Sequence, residues 1–109
     1  MIYEVEISEQ AEVDLRGIYE YIAFSLLAPE SAGNQLDRLE TGILSLGQFP
    51  MRHRVYEEEP WYSRGLRILP VDNFVVFYIP NEETAVVTVI RVLYGGRNIS
   101  NELKEYTEK

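Results

Sequence analysis

The sequence T-A-V-V-T-V-I-R-V-L-Y-G-G-R-N-I, which runs from Thr84 to Ile99, decides the fold. Its first ten residues are almost all β-branched or apolar and show no helical period, so they predict a strand that is central in its sheet. Gly95 and Gly96 then end the strand, since residues without a Cβ permit a sharp turn. Arg97 follows at once. A guanidinium held at the end of a rigid strand is suited to bind a phosphate or a carboxylate, and an internal ion pair with Asp72 is the alternative.

The first half of the chain predicts one strand and two helices. Met1–Ile7 alternates between apolar and acidic residues, which is typical of a half-exposed strand. Apolar residues then recur every three or four positions in two stretches, Ala11, Leu15, Ile18 and Ile22 followed by Ala32, Leu36, Leu39, Ile43 and Leu46. Pro29 suits the first turn of the second helix. The joint is short, so we expect an antiparallel αα-hairpin. Gly17 costs the first helix about 1 kcal/mol relative to alanine, which favours close packing there.

The second half predicts antiparallel strands joined by tight turns. Gly65–Val71 and Phe74–Ile79 flank the turn Asp72-Asn73 and form a hairpin, and Pro70 indicates an edge position. A short edge strand around His53–Tyr56 is also expected.

The order of these elements predicts a two-layer α+β fold in a single domain, residues 1–109. The N-terminal strand is expected to pair beside the long strand Thr84–Tyr94, and the helical hairpin is expected to cover one face of the sheet. The other face is expected to be open, with a short C-terminal helix over Ser100–Thr107.

Composition and charge narrow the function. Hydrophobic residues make up 46% of the 109 residues, charged residues make up 26%, and no apolar run is long enough to cross a bilayer. We therefore expect a cytoplasmic protein that does not enter a membrane. Cysteine is absent, which excludes thiolate metal sites and cysteine nucleophiles. The net charge of −8 argues against direct DNA binding, because neutralising phosphates needs clustered basic residues.

Three motifs in this order resemble the RelE/ParE superfamily of bacterial toxins. They are A-E-V-D-L-R-G-I at Ala11–Ile18, G-L-R-I-L-P-V-D-N-F-V-V-F-Y at Gly65–Tyr78, and V-I-R-V-L-Y-G-G-R-N-I at Val89–Ile99. The resemblance spans roughly residues 2–103. It implies an antiparallel sheet in the order 1-5-4-3-2. It also implies the toxin of a type II toxin–antitoxin, or plasmid-stabilisation, module that a small cognate antitoxin neutralises.

The two branches of the superfamily imply different activities. RelE-type members cleave messenger RNA on the ribosome, whereas ParE-type members are associated with inhibition of DNA gyrase. Where RelE-type toxins carry an arginine in the fourth strand this chain has Val75, and their late tyrosine falls on Leu103. Only Arg97 matches an arginine of the RelE-type site. The resemblance therefore favours the ParE branch and a protein that is not an enzyme. A metal-independent ribosome-dependent endoribonuclease and a degenerate, non-toxic member remain as alternatives.

The candidate site residues fall into two groups. Arg67, Arg91, Arg97 and Tyr94 are expected to converge on the open face and bind the target, and with His53 they are the catalytic candidates if the chain cleaves RNA. Internal ion pairs with Glu102, Asp72 or Glu57–Glu59 are the alternative for the arginines. The antitoxin is expected to bind the exposed faces of the helical hairpin, through Glu12, Arg16, Glu20, Asp37 and Glu40. No metal or cofactor is expected.

Overall fold

A computed structural model describes residues 2–96, 99 and 101–103 of the chain. Its strands are β1 (Glu4–Ile7), β2 (Arg67–Val71), β3 (Phe74–Asn81) and β4 (Val86–Tyr94). Its helices are α1 (Glu9–Glu20), which continues as a π-helical turn over Tyr21–Ser25, α2 (Pro29–Ser45), and a 3₁₀ turn at Pro50–Arg52. Residues 99 and 101–103 include helical turns near the C-terminus. None of the helices in these residues is long and apolar enough to cross a membrane.

The sheet has the strand order β1-β4-β3-β2, and β4 lies between β1 and β3 as predicted. The hairpins β2–β3 and β3–β4 are antiparallel, but β1 runs parallel to β4, so the expected wholly antiparallel sheet is wrong and the sheet is mixed. The order 1-5-4-3-2 is also corrected, because the expected strand at His53–Tyr56 is reduced to one bridge between Val55 and Arg67. Strand pairing cannot continue along the edge of β2 that faces away from β3. The N–H of Ile68 donates to the carbonyl of Arg54 on this edge, but the next residue that faces it is Pro70, which has no N–H.

The helices begin and end where their local chemistry allows. Ser8 caps α1, with its Oγ accepting from the N–H of Ala11 at 3.1 Å. Pro29 lies in the first turn of α2 as predicted. The expected close packing at Gly17 is wrong, because a Cβ built there meets no atom within 4 Å. Gly42 in α2 packs closely instead, since a Cβ built at Gly42 would lie 3.0 Å from the side chain of Val71.

Both faces of the sheet are covered, which corrects the expectation of an open face. The hairpin of α1 and α2 packs on one face over a core of Ala11, Leu39, Ile43, Leu46, Val76, Tyr78, Val87, Val89 and Val92. The other face carries a second buried cluster of Trp61, Leu66, Ile68, Phe77, Ile90, Leu93 and Leu103. The loop between Arg54 and Arg67 and the C-terminal turn therefore occupy the surface that the sequence analysis assigned to a partner.

Candidate functional site

Arg91 is buried inside the protein rather than presented to a partner. Its side chain is 7% exposed and that of Asp14, in α1, is 10% exposed. The Nε and Nη2 of Arg91 donate to the two carboxylate oxygens of Asp14 at 2.7 and 2.9 Å. This bidentate pair joins α1 to β4. Arg91 lies at a β-bulge in β4. Phe77 pairs with Arg91 and Tyr78 pairs with Val89, so that β4 carries one extra residue at this point.

The same guanidinium holds the C-terminal turn. Its Nη1 donates to the main-chain carbonyl of Glu102 at 3.1 Å, and its Nη2 lies 3.6 Å from the Glu102 carboxylate. Asp14 also accepts the N–H of Val92 at 3.0 Å. Arg91 thus connects three segments of the fold, and the prediction that it contacts a target or a substrate is wrong. The alternative in which it pairs with Glu102 is confirmed.

Arg67 lies at the opposite end of the sheet from Tyr94. Its Nη1 donates to the main-chain carbonyls of Met51 and His53 at 3.0 and 2.6 Å, so its guanidinium fixes the chain after α2. The register places Arg67 opposite Tyr78 of β3, whereas Tyr94 is opposite Phe74. Four residues along β3 correspond to about 13 Å. The expected convergence of these side chains is therefore wrong.

Tyr94 marks the end of β4, where the predicted turn follows. Its side chain is half exposed, and its ring packs edge-on against Phe74 with the ring centres 5.9 Å apart. The N–H of Gly95 donates to the carbonyl of Asn73 at 2.9 Å, which fixes the exit of the strand. Arg97, the leading target-binding candidate, lies outside the described residues. Its proposed partner Asp72 is bound by Arg38, whose Nε lies 2.6 Å from the carboxylate, and by Gln35.

His53 lies next to two cations and a buried tyrosine. Its ring packs edge-on against Tyr78, and burial, Arg52 and Arg67 lower its pKa below the ordinary 6.5. The Nε2 atom is buried and has no hydrogen-bond partner among the described residues. A substrate therefore has no path to this nitrogen in the observed conformation.

Tyr78 is the residue of this region that the sequence analysis missed. Its hydroxyl donates to the carbonyl of Pro50 at 2.6 Å, and burial raises its pKa to about 12 against the opposing effect of Arg67 and Arg52. The available signal was its place on the helix-facing side of a central strand, which requires a buried hydroxyl to find an acceptor. The role of Tyr78 is structural support of the chain after α2.

The helical hairpin presents the predicted acidic surface to solvent. All five residues assigned to antitoxin binding are exposed, namely Glu12, Arg16, Glu20, Asp37 and Glu40. An apolar group that the sequence analysis did not assign to a partner lies at the joint of the two helices. This hairpin tip consists of Tyr21, Phe24, Leu26 and Leu27, which are between 56% and 83% exposed. Leu27 has a positive φ of 54°, an uncommon conformation for a branched side chain.

The described residues contain no group of three or more His, Cys, Asp or Glu side chains arranged to hold a metal ion. The run Glu57–Glu59 lies in the loop that covers the second face, where Tyr56 donates to Glu58 at 2.8 Å and Ser63 binds Glu59. These contacts order the loop.

Comparisons with known proteins agree on one family. The model described as "ParE toxin of type II toxin-antitoxin system, parDE" matches residues 5–99. The chain is similar to a chain from the chromosomal ParDE toxin–antitoxin system of P. aeruginosa, at 19% identity and a TM-score of 0.69, over 85% of this chain and 96% of that one. It is also similar to a double arginine-to-alanine mutant of E. coli toxin RelE in the free state, at 15% identity and a TM-score of 0.68, over 99% and 97%.

A third similar structure is the RelBE2 toxin–antitoxin complex from Mycobacterium tuberculosis, at 19% identity and a TM-score of 0.61, over 86% of this chain and 92% of that one. The comparison with curated proteins gives no match. At these identities the structural likenesses establish the shared fold, and the family model assigns the branch.

Proposed function

Because the chain belongs to the ParE toxin family of type II toxin–antitoxin systems, we propose that it stops bacterial growth by binding DNA gyrase and that a cognate antitoxin neutralises it. The observation that carries this choice over RNA cleavage is the burial of Arg91. Metal-independent RNA cleavage needs accessible cations for the phosphate and an acid–base pair. Arg91 is bound by Asp14, and Arg67 is bound to two carbonyls.

Charge supports the same choice. The ribosome and its message form a polyanionic surface, which a chain with a net charge of −8 approaches unfavourably. Val75, at the position where RelE-type toxins carry an arginine, is half buried and packs against the second core cluster. Tyr94 and Arg97, at the end of β4, stay the proposed contacts with the target.

The helical hairpin is the proposed antitoxin surface. Its exposed carboxylates favour a basic segment, and the four apolar side chains of the hairpin tip provide the area that such a segment buries. An amphipathic helix with lysine or arginine beside its apolar stripe fits both features. The ParDE system and the RelBE2 complex to which the chain is similar are toxin–antitoxin pairs.

One induction experiment separates the candidate activities. The chain is expressed in a bacterial host with and without the product of the neighbouring small reading frame, and growth, plasmid supercoiling and message integrity are measured. We expect growth arrest, inhibited supercoiling and intact messages, with growth restored by coexpression. Cleaved messages with normal supercoiling would instead support the ribosome-dependent endoribonuclease. A harmless chain that still forms a tight complex with the neighbouring product would indicate a degenerate member.

A further inference from the structure

A second apolar surface lies at the other end of α2 from the hairpin tip. Leu44, Phe49 and Ile2 are 71%, 72% and 77% exposed. Leu44 and Phe49 line an open cleft of about 420 Å³ together with Ser45, Gln48 and Arg52, and Ile2 pairs with Gln48 through the backbone. We call this surface the α2-end cleft. The 17 residues of α2 separate it from the hairpin tip by about 25 Å.

The backbone holds the aromatic side chain of the cleft in an unusual position. Phe49 has φ 49° and ψ 55°, the left-handed region that a bulky residue rarely occupies. Arg52 folds back on the end of α2, where it donates to the carbonyls of Gln48 and Phe49 and contacts Ser45. These bonds fix the guanidinium at the rim of the cleft. Backbone strain beside an ordered cation and exposed apolar side chains is typical of a binding surface.

The charge of the α2-end cleft is opposite to that of the hairpin. Residues 41–56 contain no Asp or Glu, although the chain carries 18 acidic residues, and they contain Arg52 and Arg54. Among the described residues, Arg52 has no carboxylate within ion-pair distance. Burial first, and then the charges of Arg52 and Arg67, lower the pKa of His53 at the side of the cleft. Complementarity therefore selects an acidic partner with an apolar side chain, and it opposes a basic antitoxin segment.

We propose that the α2-end cleft is the surface by which this toxin grips its protein target, through an apolar side chain of the target that is flanked by carboxylates. The inference rests on the proposed function, because it assumes that the toxin binds a target and that an antitoxin neutralises the toxin. It adds an anchor distant from Tyr94 and separates target recognition from antitoxin recognition on the molecule. A second copy of the chain related by a two-fold axis is disfavoured as the occupant of this cleft, because two copies of the same basic rim would face each other.

The test uses a double variant, Leu44→Ser with Phe49→Asn, and a matched control, Tyr21→Ser with Phe24→Ser. Asparagine tolerates the left-handed backbone, so the fold is expected to persist, and a urea transition on each protein checks this. Growth arrest, gyrase inhibition and affinity for the neighbouring gene product are measured. We expect the double variant to lose at least about tenfold in growth arrest and gyrase inhibition with unchanged antitoxin affinity, and the control to lose antitoxin affinity with arrest retained.

The charge of the partner is tested at Gln48, whose exposed side chain lines the cleft. Gln48→Glu is expected to weaken the arrest and Gln48→Lys to preserve it. Full toxicity of the double variant, or its loss of antitoxin affinity, overturns the inference while the proposed function stands. Loss of arrest in Gln48→Glu while the apolar double variant stays fully toxic indicates a contact by charge alone, as with a nucleic acid, and also overturns it. If the wild-type chain stops growth without inhibiting gyrase and the double variant no longer stops growth, the inference stands and the gyrase target is wrong. A wild-type chain that leaves growth unchanged overturns both.

Discussion

Breaking the buried ion pair between Asp14 and Arg91 by removing one partner is expected to be among the most destabilising single changes in the chain. Replacing Asp14 with alanine removes both carboxylate acceptors from a guanidinium that is 7% exposed, and it removes the acceptor of the Val92 N–H. Breaking a buried pair by removing one partner costs about 3–5 kcal/mol. A small domain has a total free energy of unfolding of about 5–15 kcal/mol, so this variant is expected to lose a large part of its stability.

The exposed pair between Asp72 and Arg38 is the matched control. Its nitrogen–oxygen distance is 2.6 Å, against 2.7 Å for the buried pair, but its side chains are 40% and 54% exposed. Water already screens this pair, so Asp72→Ala is expected to change stability far less than Asp14→Ala. The two variants remove the same chemical group from bonds of nearly the same length. Asp72 has a positive φ of 54°, which adds a backbone cost to Asp72→Ala, so a smaller loss in this variant would be the stronger evidence for burial.

Urea unfolding followed by the fluorescence of Trp61 measures both variants, because this buried residue is the only tryptophan of the chain. A loss of about 4 kcal/mol moves the midpoint by roughly 2 M urea. Equal midpoint shifts for Asp14→Ala and Asp72→Ala would refute the argument from burial. A second check is Asp14→Leu with Arg91→Met, which removes both charges and is expected to recover most of the lost stability.

Three further predictions concern the helix end and the glycines. In the unfolded chain His53 binds a proton near pH 6.5, but in the folded protein it does so only at lower pH. Acidification below pH 7 therefore favours unfolding. The urea midpoint of His53→Asn is expected to fall less between pH 7.5 and 5.5 than that of the wild type. Tyr78→Phe leaves the Pro50 carbonyl without its donor, and a loss of about 1–2 kcal/mol is expected in the same urea assay. Gly17→Ala is expected to raise the thermal midpoint, since alanine gains up to about 1 kcal/mol in an open helix position, whereas Gly42→Ala is expected to gain less because its Cβ meets a side chain at 3.0 Å.

The sequence patterns predicted the helices and strands better than they predicted what packs against them. The apolar period located both helices, and the run from Thr84 located the central strand, because these signals are local to each element. The cover on the second face could not be read in this way. It depends on Trp61 and Leu103, which lie in short irregular segments whose packing is set by residues distant in the sequence.

The candidate site shows the same limit. Arg91 was expected to contact the target, with an internal ion pair to Glu102, Asp72 or Glu57–Glu59 as the alternative. Asp14 was missed because it lies 77 residues away and meets Arg91 through a β-bulge that no sequence period reveals. The exposed Phe49 was not among the candidate site residues, since a positive φ at a bulky residue has no signal in the sequence. Long-range contacts and strained backbone are therefore what the patterns left out.

The parallel pairing of β1 with β4 sets the order in which this protein is completed during translation. The hydroxyl of Ser8 reaches the carbonyl of Ile90, a contact between residues 82 positions apart. At synthesis rates of about 5–20 residues per second, the first strand waits roughly 4–16 s for its neighbour. Both cores share β4, so a polypeptide released by a stalled ribosome before Val86 lacks the strand on which either core is built. Premature termination before β4 thus yields fragments without either core, and the fold is completed only once β4 has been synthesised.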